Sequence, residues 1–390
     1  MMITDGNVIA MKERKPGSMD ALFAETLARG ASDLHMNANM PPVFRVKGEL
    51  MPMACEPYSS AEIFELLQAI LTERHKKVLE KNFSVDFAVS APDIGRFRVA
   101  AYYQRGAVSV ALRMLADGIP TFESLGLPSA VGKLAEMRDG LILVTGVTGS
   151  GKSTTLATVI DHINEKSRQN IITIEDPIEY VHINKNSIIN QRELHSDVAS
   201  FADALRDSLR ADPDVILVGE IRDLETMRTA IMAAETGHLV FSTLHARDSL
   251  SSINRLVGAF PADEQPQIRQ QLSSTLRAVV SQRLLPNVSG AGRIPAVELM
   301  FCTSGIANLI RQGKDDMIYS AIETGKYDEM QTMEQSLVTL IQSGQISMET
   351  GLAAAKNKNM LKQRLSSCRM NPMALTGCPG RGTGCPRGRG

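Results

Sequence analysis

At 390 residues the chain has room for two or three domains, and a chain of this size can bury about three quarters of its unfolded surface. Hydrophobic residues at 43% and charged residues at 22% are ordinary globular values, which excludes disorder, collagen-like repeats or a coiled coil as the main architecture. Lys and Arg number 42 against 43 Asp and Glu, so no bulk positive field drives non-specific nucleic-acid binding. The distribution is uneven: residues 356–390 hold eight bases and no acid, which leaves 34 bases against 43 acids elsewhere, a balance of −9.

Residues 1–18 mix Gly, Pro and charge without periodicity and are expected to be a flexible lead-in. Met19, Leu22, Phe23 and Leu27 then mark one face of a helix that Gly30 ends. Apolar segments at 34–36 and 43–46 flank Pro41-Pro42, and Ser60 opens a helix with Ile63, Leu66, Leu67 and Ile70 inward. Period-two alternation through Phe97, Val99 and Ala101, a turn at Gln104-Arg105-Gly106, and renewed alternation through Val108, Val110 and Leu112 predict a β-hairpin. Residues 116–128, with Gly118, Pro120, Gly126 and Pro128, lack periodicity and are expected to link two domains, 19–115 and 129–360. In the second, short apolar strands at 141–145, 171–174, 215–218 and 239–243 alternate with amphipathic helices, the mark of an α/β domain with a largely parallel sheet. Helical patterns are read at 266–284 and 332–356, and the Cys/Gly/Arg-rich stretch 361–390 is expected to be disordered.

The chemistry is concentrated in the second domain. Gly146-Val147-Thr148-Gly149-Ser150-Gly151-Lys152-Ser153 fits the phosphate-loop pattern, followed by Thr154, between a strand and a helix beginning near Lys152. Glycines let consecutive N–H groups face phosphates at a helix N-terminus. Lys152 is expected on the β- and γ-phosphates of ATP and Ser153 on Mg²⁺. The apolar strand 215–218 runs to Glu220, the preferred general base. After the strand 171–174 a second acidic cluster, Glu175-Asp176-Pro177-Ile178-Glu179, emerges where parallel sheets place ligands; Glu179 is expected to share catalysis or hold Mg²⁺. His238 and His245 bracket a strand and suit sensing the γ-phosphate better than metal binding. Arg98 and Arg113, on the hairpin, are arginine-finger candidates acting through domain closure or an adjacent subunit.

These motifs resemble those of the type IV pilus retraction ATPases, the PilT family of secretion-type hexameric ATPases. The likeness runs from about residue 19 to 356: GASDLH at 30–35, FRV at 97–99, GVTGSGKSTT at 146–155, TIEDPIEYVH at 173–182, NQREL at 190–194, LRADPDVILVGEIRD at 209–223, AAETGHLVFSTLHA at 233–246 and NLIRQGK at 308–314. The resemblance implies a PAS-like α+β domain followed by a RecA-like P-loop ATPase domain, assembled as a homo-hexamer at the cytoplasmic face of the inner membrane. Its implied partners are a pilus platform protein and related pilus ATPases, without nucleic acid, and the implied work is Mg²⁺-dependent ATP hydrolysis driving pilus retraction and twitching. Carried over, Gly146 to Thr154 bind nucleotide, Ser153, Glu179 and Glu220 serve the metal and hydrolysis, His238 and His245 respond to it, and Arg98 and Arg113 reach across the ring.

Three departures stand out: Val147 where Pro is frequent, Ala307 where the family often has Arg, and Arg247-Asp248-Ser249 in place of small and hydroxyl residues. The nearest alternatives are extension or type II secretion ATPases, which usually carry two C-x-x-C pairs that this sequence does not contain, and an accessory retraction paralogue.

Overall fold

The computed structural model describes residues 13–115, 118–290 and 292–369. The described residues gather into two compact units: those up to 121, with 135–140 and 153–242, in one, and 122–134, 141–152 and those from 243 onward in the other. The first segment of unit one ends at Thr121, inside the stretch expected as a linker, yet that unit also takes in part of the region expected as the second domain. The linker stretch itself carries a short helix, Phe122–Leu125.

Unit one opens on a six-stranded antiparallel sheet: β1 (Ala31–Met36), β2 (Val43–Val46), β3 (Glu49–Pro52), β4 (Ser84–Ala91), β5 (Gly95–Gln104) and β6 (Ala107–Met114), in the order β3-β2-β1-β6-β5-β4. The expected hairpin is β5–β6, closed by Arg105 and Gly106 at φ 48° and 78°, the left-handed pair of a two-residue turn. Its inward residues Phe97, Val99, Ala101, Val110 and Leu112 are buried with Leu22, Phe23, Ile63 and Leu67 from the helices Met19–Ala28 and Ser60–Gln68. Phe23 stacks on Phe97 with ring centroids 4.3 Å apart. Ser59 caps the second helix in a capping box with Glu62.

Residues 13–18 are not a loose lead-in. Glu13 pairs with Arg29, and the Lys15 ammonium lies 4.2 Å from the Tyr58 ring centroid and bonds the Pro57 carbonyl at 2.9 Å. The remainder of the expected lead-in, 1–12, lies outside the described residues.

Seven further strands follow: β7 (Gly140–Thr145), β8 (Asn170–Glu175), β9 (Ile188–Glu193), β10 (Val215–Val218), β11 (Leu239–Leu244), β12 (Leu276–Pro286) and β13 (Arg293–Phe301). Within unit one, β10 pairs in parallel with β11 on one side and β8 on the other, and β8 pairs in parallel with β9. Within unit two, β12 pairs in parallel with β7 and antiparallel with β13. β7, β10 and β11 are buried along their whole length, which is why they read as unbroken apolar runs.

Two expectations are corrected here. The helix read at 266–284 stops at Thr275, and residues 276–286 form β12: Val279 and Val280 favour extended backbone, and pairing on both edges buries the strand. The stretch expected to be disordered from 361 begins inside a helix, Lys358–Arg369, whose Leu361 and Leu365 lie four apart and enter the core around Leu337 and Leu340. Residues 370–390 lie outside the described residues. The region 332–356 is helical in two pieces, Met333–Gln342 and Met348–Ala354, broken at Gly344 with φ 71°.

Candidate nucleotide site

β7 runs into residues 146–151 and then the helix Lys152–Lys166, the strand-loop-helix context a phosphate loop requires. Gly146 is obligatory on two grounds: its φ is 151°, and a Cβ there would stand 2.3 Å from Ser150 Oγ and 2.6 Å from the Gln282 carbonyl oxygen. Gly149 and Gly151 also have positive φ, 77° and 89°. Val147, Thr148 and Gly149 form the exposed rim, so the Val147 departure touches only the outside of the loop. Beneath it Ser150 is buried with its Oγ unbonded among the described residues. Lys152 is buried and its Nζ donates to the carbonyls of Gly146 at 3.1 Å and Val147 at 3.2 Å, a cation folded onto the loop it follows. Ser153 is exposed on the first helical turn, and Thr154 Oγ1 lies 3.0 Å from the Tyr180 hydroxyl.

Tyr180 belongs to the loop after β8 that carries Glu179, which is half-buried. Side chains from β9 hold this loop. Gln191 Nε2 donates to the Tyr180 carbonyl at 2.8 Å and to Glu175 Oε1 at 3.1 Å. Glu193 Oε2 accepts the Ile178 N–H at 3.2 Å and Arg96 Nη2 at 2.8 Å, while Arg96 Nε donates to the Ile178 carbonyl at 3.0 Å. Glu175, at the end of β8, accepts Thr173 Oγ1 at 2.6 Å. Burial pushes its carboxyl above the usual range; the bonds from Thr173 and Gln191 oppose this, and the charges of Glu179 and Glu193 add to it. Burial also pushes the His182 imidazole down to about 4, against the pull of Asp161, so it is neutral at physiological pH.

Glu220 follows β10, its side chain 18% exposed, with Arg222 Nη2 2.8 Å from its Oε2. Of the two histidines, His238 Nδ1 lies 3.0 Å from the Ala233 carbonyl and 3.1 Å from Thr236 Oγ1, at the end of the helix Leu224–Glu235. His245, past the end of β11, is exposed, and its carbonyl accepts Arg255 Nη1 at 2.9 Å. Arg98 and Arg113 face each other across the β5–β6 pair, both exposed. Arg113 Nε bonds Asp33 Oδ1 at 2.8 Å; burial would raise Asp33, but the bonds from Ser32 and Arg113 outweigh it and hold the carboxyl below its usual range.

Sequence reasoning overlooked Arg96, Gln191 and Glu193 as site residues. The two β9 residues lie inside the NQREL motif, so a signal was present, but not their bonds. Arg96 and Arg98 share one face of the strand without sharing a task.

Residues 13–363 match the protein family described as type II/IV secretion system protein. The chain is 44% identical over 335 residues to the type IV pilus retractation ATPase PilT of Pseudomonas aeruginosa, an alignment covering 86% of this chain and 97% of that protein. It is 43% identical over 320 residues to a twitching motility protein of Neisseria gonorrhoeae, covering 82% and 86%. The crystal structure of the pilus retraction motor PilT with bound ADP aligns with a TM-score of 0.83 at 46% identity, covering 89% of this chain and 99% of that one.

Proposed function

The chain belongs to the type II/IV secretion system protein family, and from that membership and its phosphate loop we propose an ATPase motor that retracts type IV pili. The observation that carries the reading is the loop itself: a turn so tight that a Cβ at Gly146 would stand 2.3 Å from Ser150 Oγ, with a buried Ser150 hydroxyl, unbonded among the described residues, and the buried Lys152 ammonium folded onto it, in a chain similar over 86% of its length to a named retraction ATPase. Polar groups of this kind fit a polyphosphate.

In this reading the N–H groups of Gly146 to Lys152, with Thr148, Gly149, Ser150 and Gly151 forming the curve, hold the ATP phosphates. Lys152 exchanges the Gly146 and Val147 carbonyls for phosphate oxygens. Ser153, Glu179 and Glu220 are the residues that would hold Mg²⁺, and Thr154 closes the nucleotide side. Mg²⁺, when bound, neutralises charge on the phosphates. Glu220 takes the proton of the attacking water, while Arg222 Nη2 lies 2.8 Å from its Oε2. His238 and His245 report the outcome through β11. Arg113 exchanges Asp33 for a neighbouring subunit's nucleotide, with Arg98 beside it.

Assembly as a homo-hexamer, contact with a pilus platform protein and with related pilus ATPases, and residence at the cytoplasmic face of the inner membrane belong to the same proposal. So do the PAS-like character of residues 19–115 and the division at 116–128. Among the described residues no helix is long and apolar enough to cross a membrane. The test is pilus retraction in cells lacking the gene, complemented with wild type or Glu220→Ala. Retained surface pili that retract only with wild type support a retraction motor driven by hydrolysis. Unchanged retraction without the gene points to an accessory paralogue, and loss of the pili to an extension motor.

A further inference from the structure

We propose that Arg96 is a positioning residue for hydrolysis: from β5 it closes a clamp with Glu193 on the backbone of Ile178 and so fixes the Glu179 side chain. The inference rests on the role given to Glu179 above.

Three elements distant in sequence meet at one residue. Arg96 stands 82 positions from Ile178 and 97 from Glu193. Glu193 Oε2 accepts the N–H of Ile178 at 3.2 Å, and Arg96 Nε donates to its carbonyl at 3.0 Å. That carbonyl belongs to the peptide unit whose nitrogen is that of Glu179, so both polar groups flanking the turn into Glu179 are tied down. Arg96 Nη2 closes the circuit on Glu193 Oε2 at 2.8 Å, and Nη1 bonds Ser90 Oγ at 3.0 Å on β4. One planar guanidinium thus serves three acceptors in three directions, a geometry a lysine ammonium on a flexible stem does not reproduce.

The clamp is shielded and rigidly mounted. The Arg96 and Glu193 side chains are only 21% and 13% exposed, so the pair is weakly screened. β5 is paired on both edges, with Arg96 opposite Ser90 on β4 and the adjoining Phe97 opposite Met114 on β6. The same strand carries Arg98 two residues on. A displacement of this sheet is therefore delivered to the Glu179 loop directly, through hydrogen bonds rather than through packing alone.

The experiment measures kcat and KM for ATP on the full chain for Glu179→Gln, Arg96→Gln, Arg96→Lys and Glu193→Gln. Glu179→Gln is expected to lose about 10²-fold or more in kcat. Arg96→Gln and Glu193→Gln should each lose about tenfold in kcat with KM within about twofold of wild type, the signature of a misplaced group rather than a lost binding contact. Arg96→Lys should stay within about threefold of Arg96→Gln, because charge without the fork does not hold the Ile178 carbonyl. Recovery of wild-type kcat by Arg96→Lys would overturn the clamp in favour of simple charge. So would wild-type kcat in Glu193→Gln, the variant that decides the matter if Arg96→Gln does not fold. Glu179→Gln turning over like wild type sinks the role of Glu179 itself, whereas an inactive Glu179→Gln beside fully active Arg96→Gln and Glu193→Gln removes the clamp alone.

Discussion

Among the described residues burial pushes two carboxyls, those of Glu175 and Glu298, above their usual range, and their surroundings differ. Glu175, at the end of β8, takes its hydrogen bonds from the side chains of Thr173 and Gln191 and lies beside the loop of Glu179. Glu298, in the middle of β13, takes both of its bonds on Oε1, from the Ser249 N–H and Oγ, each at 2.8 Å. Burial pushes Glu298 above the usual carboxylate range; the Ser249 bonds oppose this, and the charges of Asp248 and Glu334 add to it. Its neighbours are fastened to helix starts. Asp248 caps the helix Ser249–Gly258 and pairs with Lys356 Nζ at 2.7 Å, and Glu334 accepts the Tyr319 hydroxyl at 3.0 Å and the Asn357 N–H at 3.2 Å. A raised pKa is common to both regions, so it does not by itself mark a working acid. The difference lies in what the bonds anchor: the loop of Glu179, the carboxylate proposed for hydrolysis, in one region, and the first turn of a helix in the other.

That contrast breaks most sharply if the two regions respond alike to truncation. Glu220→Ala, at the working end, should cut ATP turnover about 10²-fold or more while leaving the thermal midpoint nearly in place, since Glu220 is at a strand end and bonded to an exposed Arg222. Glu298→Ala should do the reverse. It strips the buried Ser249 N–H and Oγ of their acceptor, at about 1–3 kcal/mol, and the midpoint should fall by several degrees while turnover per folded molecule holds. A Glu298→Ala protein with an unmoved midpoint and lost turnover would place the second region in the catalytic machinery.

Titration sharpens the same comparison with a smaller effect. A carboxyl whose folded pKa is raised binds its proton more tightly in the folded chain, so stability falls as pH rises from the ordinary 4.5 towards the raised value. Glu298→Gln keeps an acceptor for Ser249 and removes the titration. Its thermal midpoint should therefore fall less than that of wild type as pH rises above about 4.5. Parallel curves for wild type and variant would show that Glu298 does not carry the shift.

How much of this was readable in advance follows from the range of each interaction. The strand-loop-helix around 146–151 is a local pattern and is legible in the sequence, as are β7, β10 and β11, buried along their whole length. The helix Glu73–Asn82 escaped because only Leu79 of its residues is buried, which leaves no apolar stripe. β9 escaped for a related reason: none of its residues is fully buried and Ile188 is exposed, so its order comes from pairing and polar bonds. The helical pattern read at 266–284 runs on into β12, because the pairing with β7 that makes those residues a strand lies far off in sequence. The Ser249 departure was visible, but its partner Glu298 stands 49 residues away. The bonds of Arg96 span more still, and no spacing rule reaches them.

An acid of the opposite kind provides the smallest and most specific test. Glu62 is at the surface, where Lys15 Nζ donates to Oε1 at 2.5 Å and the Ser59 N–H and Oγ donate to Oε2 at 2.7 and 2.8 Å. The Lys15 bond first, and those of Ser59 after it, draw its carboxyl down to about 2. A lowered folded pKa contributes stability above the unfolded value, lost as pH falls through the folded one. Glu62→Gln should therefore lower the midpoint slightly at neutral pH, and the gap from wild type should close as pH drops from about 5 to about 2. Relative to wild type, Glu62→Gln loses ground with rising pH where Glu298→Gln gains it. Slopes of one sign in both variants would mean that the net charge of the chain, not the site of each carboxyl, governs its response to pH.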